Sequence, residues 1–286
     1  MLSYQHAYHA GNAADVHKHI ALVMLLKRFR RKDKPFSYVD SHAGRGIHDL
    51  ESGEARRTGE ADTGILRLAP VPGGPSAVRD YLDLVAGFNE PRRLRYYPGS
   101  ASLAQALLRA EDRAILLELH PQELTALKRS IGEDRRVSVH SRDCYEGLPA
   151  LLPPPIRRGL VLIDPSYEVK DEYEGIVSLL RKAIGRWATG VYLLWYPLLA
   201  EPRHRRLLRR LEALGPPRTL ISECRFRTRV TGLEGSGLAV INAPWRFDAE
   251  LVDAMRHVVA ALDVDGSGTV EQRWLAPDAH GPSMSA

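Results

Sequence analysis

The chain is poor in cysteine. Cys144 and Cys224 are the only two among 286 residues, and neither belongs to a C-x-x-C pair. A disulfide framework or a cysteine-built zinc site is therefore not expected, and a reducing, cytoplasmic setting is. No run of about 18 apolar residues occurs, and no charged segment leads into an apolar core at the N-terminus, so neither a membrane span nor a secretory leader is expected. The full G-x-G-x-x-G of a dinucleotide site is missing, and so is H-E-x-x-H or any equivalent metal pattern. No internal repeat interrupts the chain.

What remains is an ordinary globular composition, 44% hydrophobic and 26% charged, long enough for one large α/β domain or two small ones. A net charge of +5 points to an anionic partner. Arginine greatly outnumbers lysine and clusters at Arg28-Phe-Arg-Arg-Lys32, at Arg205-Arg206 with Arg209-Arg210, and at Arg225, Arg227 and Arg229. Each cluster is a candidate nucleic-acid contact, with a solvated face as the plain alternative.

Periodicity predicts helix 15–32 and a short strand 36–39, then helix 101–110, strand 114–119, helix 121–130, strand 137–140 and helix 145–152. Strand 160–163, helix 171–187, strand 191–195 and helix 203–214 follow, then strands 220–226 and 238–241, helix 248–262 and strand 269–275. This alternation implies a mostly parallel sheet covered on both faces. Strands 220–226 and 238–241 have no helix between them, only a loop assigned Gly232, Gly235 and Gly237, which predicts a reversed strand in a hairpin. The rhythm stops over residues 49–98, a charged and Pro/Gly-rich stretch with one helix-like segment at 77–88, read as an insertion. The expected division is 1–48 with 99–286 as one domain and 49–98 as an inserted helical subdomain.

Spacing supports the insertion. The strand-ending loop Asp40-Ser-His-Ala-Gly-Arg-Gly46 has the character of a cofactor loop, and the acid that grips a ribose lies about 20 residues past such glycines. The first acid ending the next strand is Glu118, 72 residues beyond Gly46; removing roughly 50 residues restores the spacing. Glu118 has the alternative reading of a helix cap, since Pro121 opens a helix. Asp143 stands where an adenine amino group would be met, with Cys144 beside it to pack on the ring.

Two tetrapeptides compete as methyl-acceptor motif: Asp164-Pro165-Ser166-Tyr167 and Asn242-Ala243-Pro244-Trp245. An acid, a carbonyl and an aromatic ring at the end of a buried strand suit methyl transfer to an exocyclic or amide nitrogen. The two acceptors restore electron density to a delocalised lone pair while the ring stacks on the flat substrate. A strand-ending turn favours the same residues. Asp164 is preferred because its strand should adjoin the first, whereas a late strand should lie farther out. The N-terminal run from Tyr4 through His6, His9, Asn12 and Asp15 to Lys18 and His19 suits stacking on splayed bases and contact with phosphate, or else packing of a helix.

Together these pieces resemble the bacterial 23S ribosomal RNA adenine-N6 methyltransferases of the RlmJ type. The motifs carrying the resemblance are Met1-Leu-Ser-Tyr4 with His6, His9-Ala-Gly-Asn12 and Asp15; Asp40-x-His42-Ala-Gly44; Arg57-Thr-Gly-Glu60; and Leu94-Arg-Tyr-Tyr-Pro-Gly-Ser100. Glu118-Leu-His-Pro121, Arg157-Arg-Gly-Leu160, Ile163-Asp-Pro165, Ala188-Thr-Gly190 and Trp195-Tyr-Pro197 complete them. The resemblance implies a Rossmann-like domain, with an inserted helical subdomain, that uses S-adenosylmethionine to methylate adenine N6 in 23S ribosomal RNA. It implies that His19, His42, Ser100, Glu118, Asp143, Cys144 and Asp164 border the cofactor, with Gly44 in the same loop. Asp164 is the expected proton acceptor, Pro165 and Tyr167 complete the catalytic motif, and Tyr4, His6 and Lys18 are expected to contact RNA. A monomer without metal is expected. The usual motif is Asp-Pro-Pro-Tyr, and Ser166 departs from it by freeing a φ angle that proline would fix. Alternative acceptors are DNA adenine and a protein glutamine, and a non-catalytic RNA-binding relative is a third reading.

Overall fold

The computed structural model describes residues 6–167, 172–226, 232–263 and 265–275. A 3-10 turn at His6–Tyr8 leads into helix α1, Ala13–Arg30. Asn12 sets its start, accepting the Asp15 backbone N–H at 2.9 Å through its side chain. The apolar stripe alone places that start at residue 15, because it does not register the cap. Every residue from Ala13 to Leu26 is buried. Such helices are normally apolar all round. Here Asp15, Lys18 and His19 instead form a polar stripe at i, i+3 and i+4, buried against other polar groups.

Strand β1 (Ser37–Asp40) is followed by a small antiparallel ribbon of β2 (Ile47–Asp49) and β3 (Tyr96–Pro98). Between its strands lie α2 (Gly53–Thr58), a 3-10 turn at Glu60–Thr63, α3 (Ile65–Leu68) and α4 (Ser76–Ala86). Ile65, Leu68, Val78 and Tyr81 from this stretch enter the same apolar cluster as Ile20 and Val23 of α1. The chain then alternates through α5 (Ser100–Leu107), β4 (Arg113–Leu117), α6 (Pro121–Ile131), β5 (Val137–His140), α7 (Cys144–Leu151), β6 (Gly159–Ile163), α8 (Glu172–Arg186), β7 (Val191–Leu199) and α9 (His204–Ala213). β8 (Leu220–Arg225), β9 (Leu233–Ile241), α10 (Phe247–Leu262) and β10 (Thr269–Trp274) complete it.

Among the described residues, eight strands form one sheet in the order β10-β8-β9-β7-β6-β1-β4-β5. The pairs β5–β4, β4–β1, β1–β6 and β6–β7 are parallel, and β9 runs antiparallel to both β7 and β8. The fold class is the α/β, mostly parallel sheet that the sequence predicts. β10 adds a second reversed strand at the edge, against β8. Gly235 and Gly237 lie inside β9 rather than in the loop assigned to them. A Cβ on Gly237 would come within 2.0 Å of the Tyr196 ring, so this glycine leaves room for a neighbouring aromatic. From β1 the chain moves to β4 and β5 on one side and returns to β6 and β7 on the other. The strand order therefore reverses between β1 and β6, and a crevice opens at their carboxyl ends.

Candidate active site

A cavity of about 470 Å³ occupies that crevice, within the ~300–1,000 Å³ usual for small-molecule sites. Gly44, from the loop after β1, and Asp164, from the end of β6, both line it. So do Pro165 and Tyr167, and so do His6, Lys18 and His19 from the N-terminal region. Ser100, Glu118, Asp143, Cys144 and His42 complete the set of anticipated residues, all in one wall system. Tyr4 lies outside the described residues.

At the acceptor end, Lys18 is only 3% exposed. Its ammonium lies 2.5 Å from Asp164 Oδ2 and 2.8 Å from Asp15 Oδ1. Burial alone would lower the Lys18 pKa, but the charges of Asp15 and Asp164 outweigh it and hold the pKa above its ordinary value. Burial would raise Asp15, yet the His6 and Lys18 charges hold it well below the carboxylate range. Asp15 also accepts from His6 Nε2 and the Gly11 backbone N–H, both at 2.9 Å. Lys18, anticipated as an RNA contact, thus sits inside the wall, paired with two carboxylates. The second Asp164 oxygen, Oδ1, has no protein partner among the described residues.

The opposite end is built around β1. Asp40, buried, accepts Ser100 Oγ and the Tyr38 hydroxyl at 2.6 Å each, and the His42 backbone N–H at 3.1 Å. Burial pushes its pKa up to about 6 against the pull of those donors. His42 is lowered to about 4 by desolvation, and its Nδ1 lies 2.7 Å from Ser41 Oγ. Glu118 is held by two backbone donors, Gly44 N–H at 2.9 Å and His120 N–H at 2.7 Å. Burial still raises its pKa. The cap of α6 is His120, not Glu118. Asp143 caps α7 by accepting Tyr145 N–H at 2.6 Å, and Cys144, next to it, has its thiol pKa pushed up by burial. His19 is buried, lowered to about 3 by desolvation, and its Nδ1 lies 2.7 Å from the Tyr97 hydroxyl.

The Tyr167 ring packs 4.5 Å from Tyr173 and 5.9 Å from Trp195, centroid to centroid, and its hydroxyl donates to the Trp195 carbonyl at 2.8 Å. The Lys18 ammonium lies 5.7 Å from the Trp195 ring centroid. Trp195, Glu60 and His48 also line the cavity with no role expected from sequence, as does Asp15, expected only as one member of the N-terminal run. Asp15, Glu60 and Trp195 lie in the family motifs, which was the available signal; His48 offered none. Among the described residues, no group of three or more His, Cys, Asp or Glu side chains is arranged to hold a metal ion, and no helix is long and apolar enough to cross a membrane.

A family model described as "Ribosomal RNA large subunit methyltransferase D, RlmJ" matches residues 33–276. A Haemophilus influenzae protein named "Ribosomal RNA large subunit methyltransferase J" is 38% identical over 281 residues, covering 97% of this chain and 100% of the relative. An Escherichia coli protein of the same name is 39% identical over 280 residues, with the same coverage. The crystal structure of a Legionella pneumophila protein, described by the family label DUF519, is 35% identical with a TM-score of 0.85, covering 93% of this chain and 98% of that one.

Proposed function

The chain belongs to the RlmJ family of large-subunit ribosomal RNA methyltransferases, and we propose that it methylates the N6 amino group of an adenine in 23S ribosomal RNA, using S-adenosylmethionine. The observation carrying this reading is the Asp164 carboxylate at the carboxyl end of β6, in one cavity with Gly44 and Glu118. The donor set fits the cofactor. Glu118 is fixed by two backbone N–H groups and keeps lone pairs for ribose hydroxyls. Asp40, fully buried beneath the cavity, fixes the Ser100 hydroxyl that lines it, accepting Ser100 Oγ at 2.6 Å. When bound, S-adenosylmethionine supplies an electrophilic methyl on a sulfonium.

The chain's own residues hold the acceptor. Lys18 takes one Asp164 oxygen and leaves Oδ1 for an N6–H, while the Pro165 carbonyl accepts the other N–H. Tyr167, its hydroxyl anchored on the Trp195 carbonyl, offers a fixed ring to an adenine rotated out of its RNA context. Positive charge developing on N6 falls next to Asp164, which stabilises it and takes the proton. On the same reading, residues 1–48 and 99–286 form the methyltransferase domain and 49–98 the inserted helical subdomain.

Incubating an unmodified 23S ribosomal RNA transcript with protein and cofactor should yield N6-methyladenine at one position by nucleotide mass mapping. Asp164→Asn should lower that rate about a hundred- to ten-thousand-fold while cofactor binding persists. Retained turnover in Asp164→Asn removes the catalytic assignment. Methylation of duplex DNA or of protein glutamine in place of the transcript removes the substrate.

A further inference from the structure

We propose that Tyr8 and Arg57 form a flat cationic platform at the cavity mouth that stacks a nucleotide neighbouring the target adenine, an inference resting on the ribosomal RNA reading above. Tyr8 lies between His6 and His9, both of which line the cavity, and is itself half-buried. The Arg57 guanidinium carbon is 5.8 Å from the Tyr8 ring centroid. An aromatic ring under a guanidinium attracts a base by stacking and its phosphate by charge. Rotating one base out of a strand exposes the faces of its neighbours, so a second flat surface beside the cavity recovers stacking that would otherwise be lost.

Charge pairing separates these arginines from others nearby. Arg45 is bidentate on Glu123 and Arg95 is held by Asp49. Arg56 and Arg57 are exposed on α2, and among the described residues neither has a carboxylate within ion-pair distance. They remain available to an anionic partner.

The platform is also held in place before any partner arrives. Thr58 Oγ1 donates to the Tyr8 carbonyl. The buried Glu60 lies 2.7 Å from His9 Nδ1 and accepts Asn12 Nδ2–H at 2.9 Å. The Ile65 N–H donates to the Gly11 carbonyl at 2.8 Å. Gly64 packs so closely on this segment that a Cβ would fall 2.1 Å from the Gly11 oxygen. The stretch between β2 and β3 therefore clamps the N-terminal turn, and a fixed turn loses little freedom on binding RNA.

The test is initial-rate methylation of an unmodified 23S ribosomal RNA transcript by wild type, Arg57→Ala, Tyr8→Ala and Tyr8→Phe. Arg57→Ala and Tyr8→Ala should each raise KM for the RNA about tenfold, the scale of one lost base stack, with far less change in kcat. Tyr8→Phe keeps the ring and should stay within about twofold of wild type, and cofactor affinity by calorimetry should be unaffected in Arg57→Ala. If Tyr8→Ala also weakens the cofactor because the segment loosens, Arg57→Ala, on an exposed helix turn, decides alone. An unchanged KM in Arg57→Ala overturns the platform, as does a loss in Tyr8→Phe equal to that in Tyr8→Ala. Wild type failing to methylate the transcript overturns the ribosomal RNA reading and the platform with it; normal turnover at an unaltered KM in the variants overturns the platform alone.

Discussion

Asp164-Pro165-Ser166-Tyr167 and Asn242-Ala243-Pro244-Trp245 carry the same kinds of residue and follow interior strands of one sheet that run in opposite directions. Asp164 faces the cavity with one oxygen held by Lys18. Asn242 instead uses both amide hydrogens on the chain itself, donating to the Ala188 carbonyl at 2.8 Å and the Gly190 carbonyl at 2.7 Å. Tyr167 is anchored in an aromatic wall, whereas Trp245 is 68% exposed, its carbonyl accepting Arg28 at 2.7 Å. Strand direction separates them. β6 runs with β1 and delivers its last residue to the crevice, while β9 is reversed and delivers Asn242 to the far end. The order of strands along the chain selects Asp164 on the ground that a late strand lies farther out. Yet β9 sits in the sheet interior, between β7 and β8, and what removes Asn242 from the site is its direction.

The sharpest way to break this contrast is to remove the cation that pairs with the acid of the first tetrapeptide. Lys18→Met leaves the Asp15 and Asp164 carboxylates without their shared partner. It should cost about 3–5 kcal/mol of stability near neutral pH, read as a shift in the urea midpoint. The pH dependence has a definite sign. In the wild type, Asp15 is held below the carboxylate range, so its contribution is present above about pH 4 and lost as acid protonates it. In the variant, burial is opposed by His6 and the Gly11 N–H without the lysine charge, and the Asp15 carboxylate pKa rises. The folded state then favours the protonated form, and stability falls as pH climbs through the raised value. The deficit should therefore be largest at neutral pH and shrink as the pH falls through the raised carboxylate pKa. A deficit that deepens in acid contradicts the pairing.

Asn242→Ala probes the other member. The substitution strands the Ala188 and Gly190 carbonyls and places alanine at φ 56°, a left-handed conformation that asparagine tolerates better. A loss of about 2 kcal/mol is expected, with methylation per folded molecule unaltered. A fall in kcat instead would mean that the far end of the sheet communicates with the cavity.

Local pattern made much of the fold legible. Strands β4, β6 and β7 announce themselves as short apolar runs at 114–117, 160–163 and 191–194, and the loop after β1 and Glu118 are recognisable from strand-end chemistry. What escaped detection depends on neighbours distant in sequence. Lys18 and Asp164 are 146 residues apart, and nothing local to either says that the lysine is buried against the acid rather than turned to phosphate. Gly235 and Gly237 look like a loop because glycine has two uses, and only the Tyr196 ring across the ladder reveals which applies. The same limit hid Trp195, whose role as a wall for Lys18 and Tyr167 exists only once β7 lies beside β6.

The mildest prediction returns to the one residue that departs from the usual Asp-Pro-Pro-Tyr. Ser166 lines the cavity, and among the described residues its backbone N–H donates no hydrogen bond, so proline there removes no donor that the fold uses. The following residue, Tyr167, already holds φ 55°. Ser166→Pro should thus act by narrowing the freedom of the loop that positions Asp164 and Tyr167, an effect of about 0.4–1 kcal/mol. Stability should rise by that amount and the methylation rate by less than about fivefold, since only loop order changes. A rate that falls more than about tenfold would show that the Ser166 hydroxyl itself handles the acceptor base, and the serine would then be part of the chemistry rather than a looser hinge beside it.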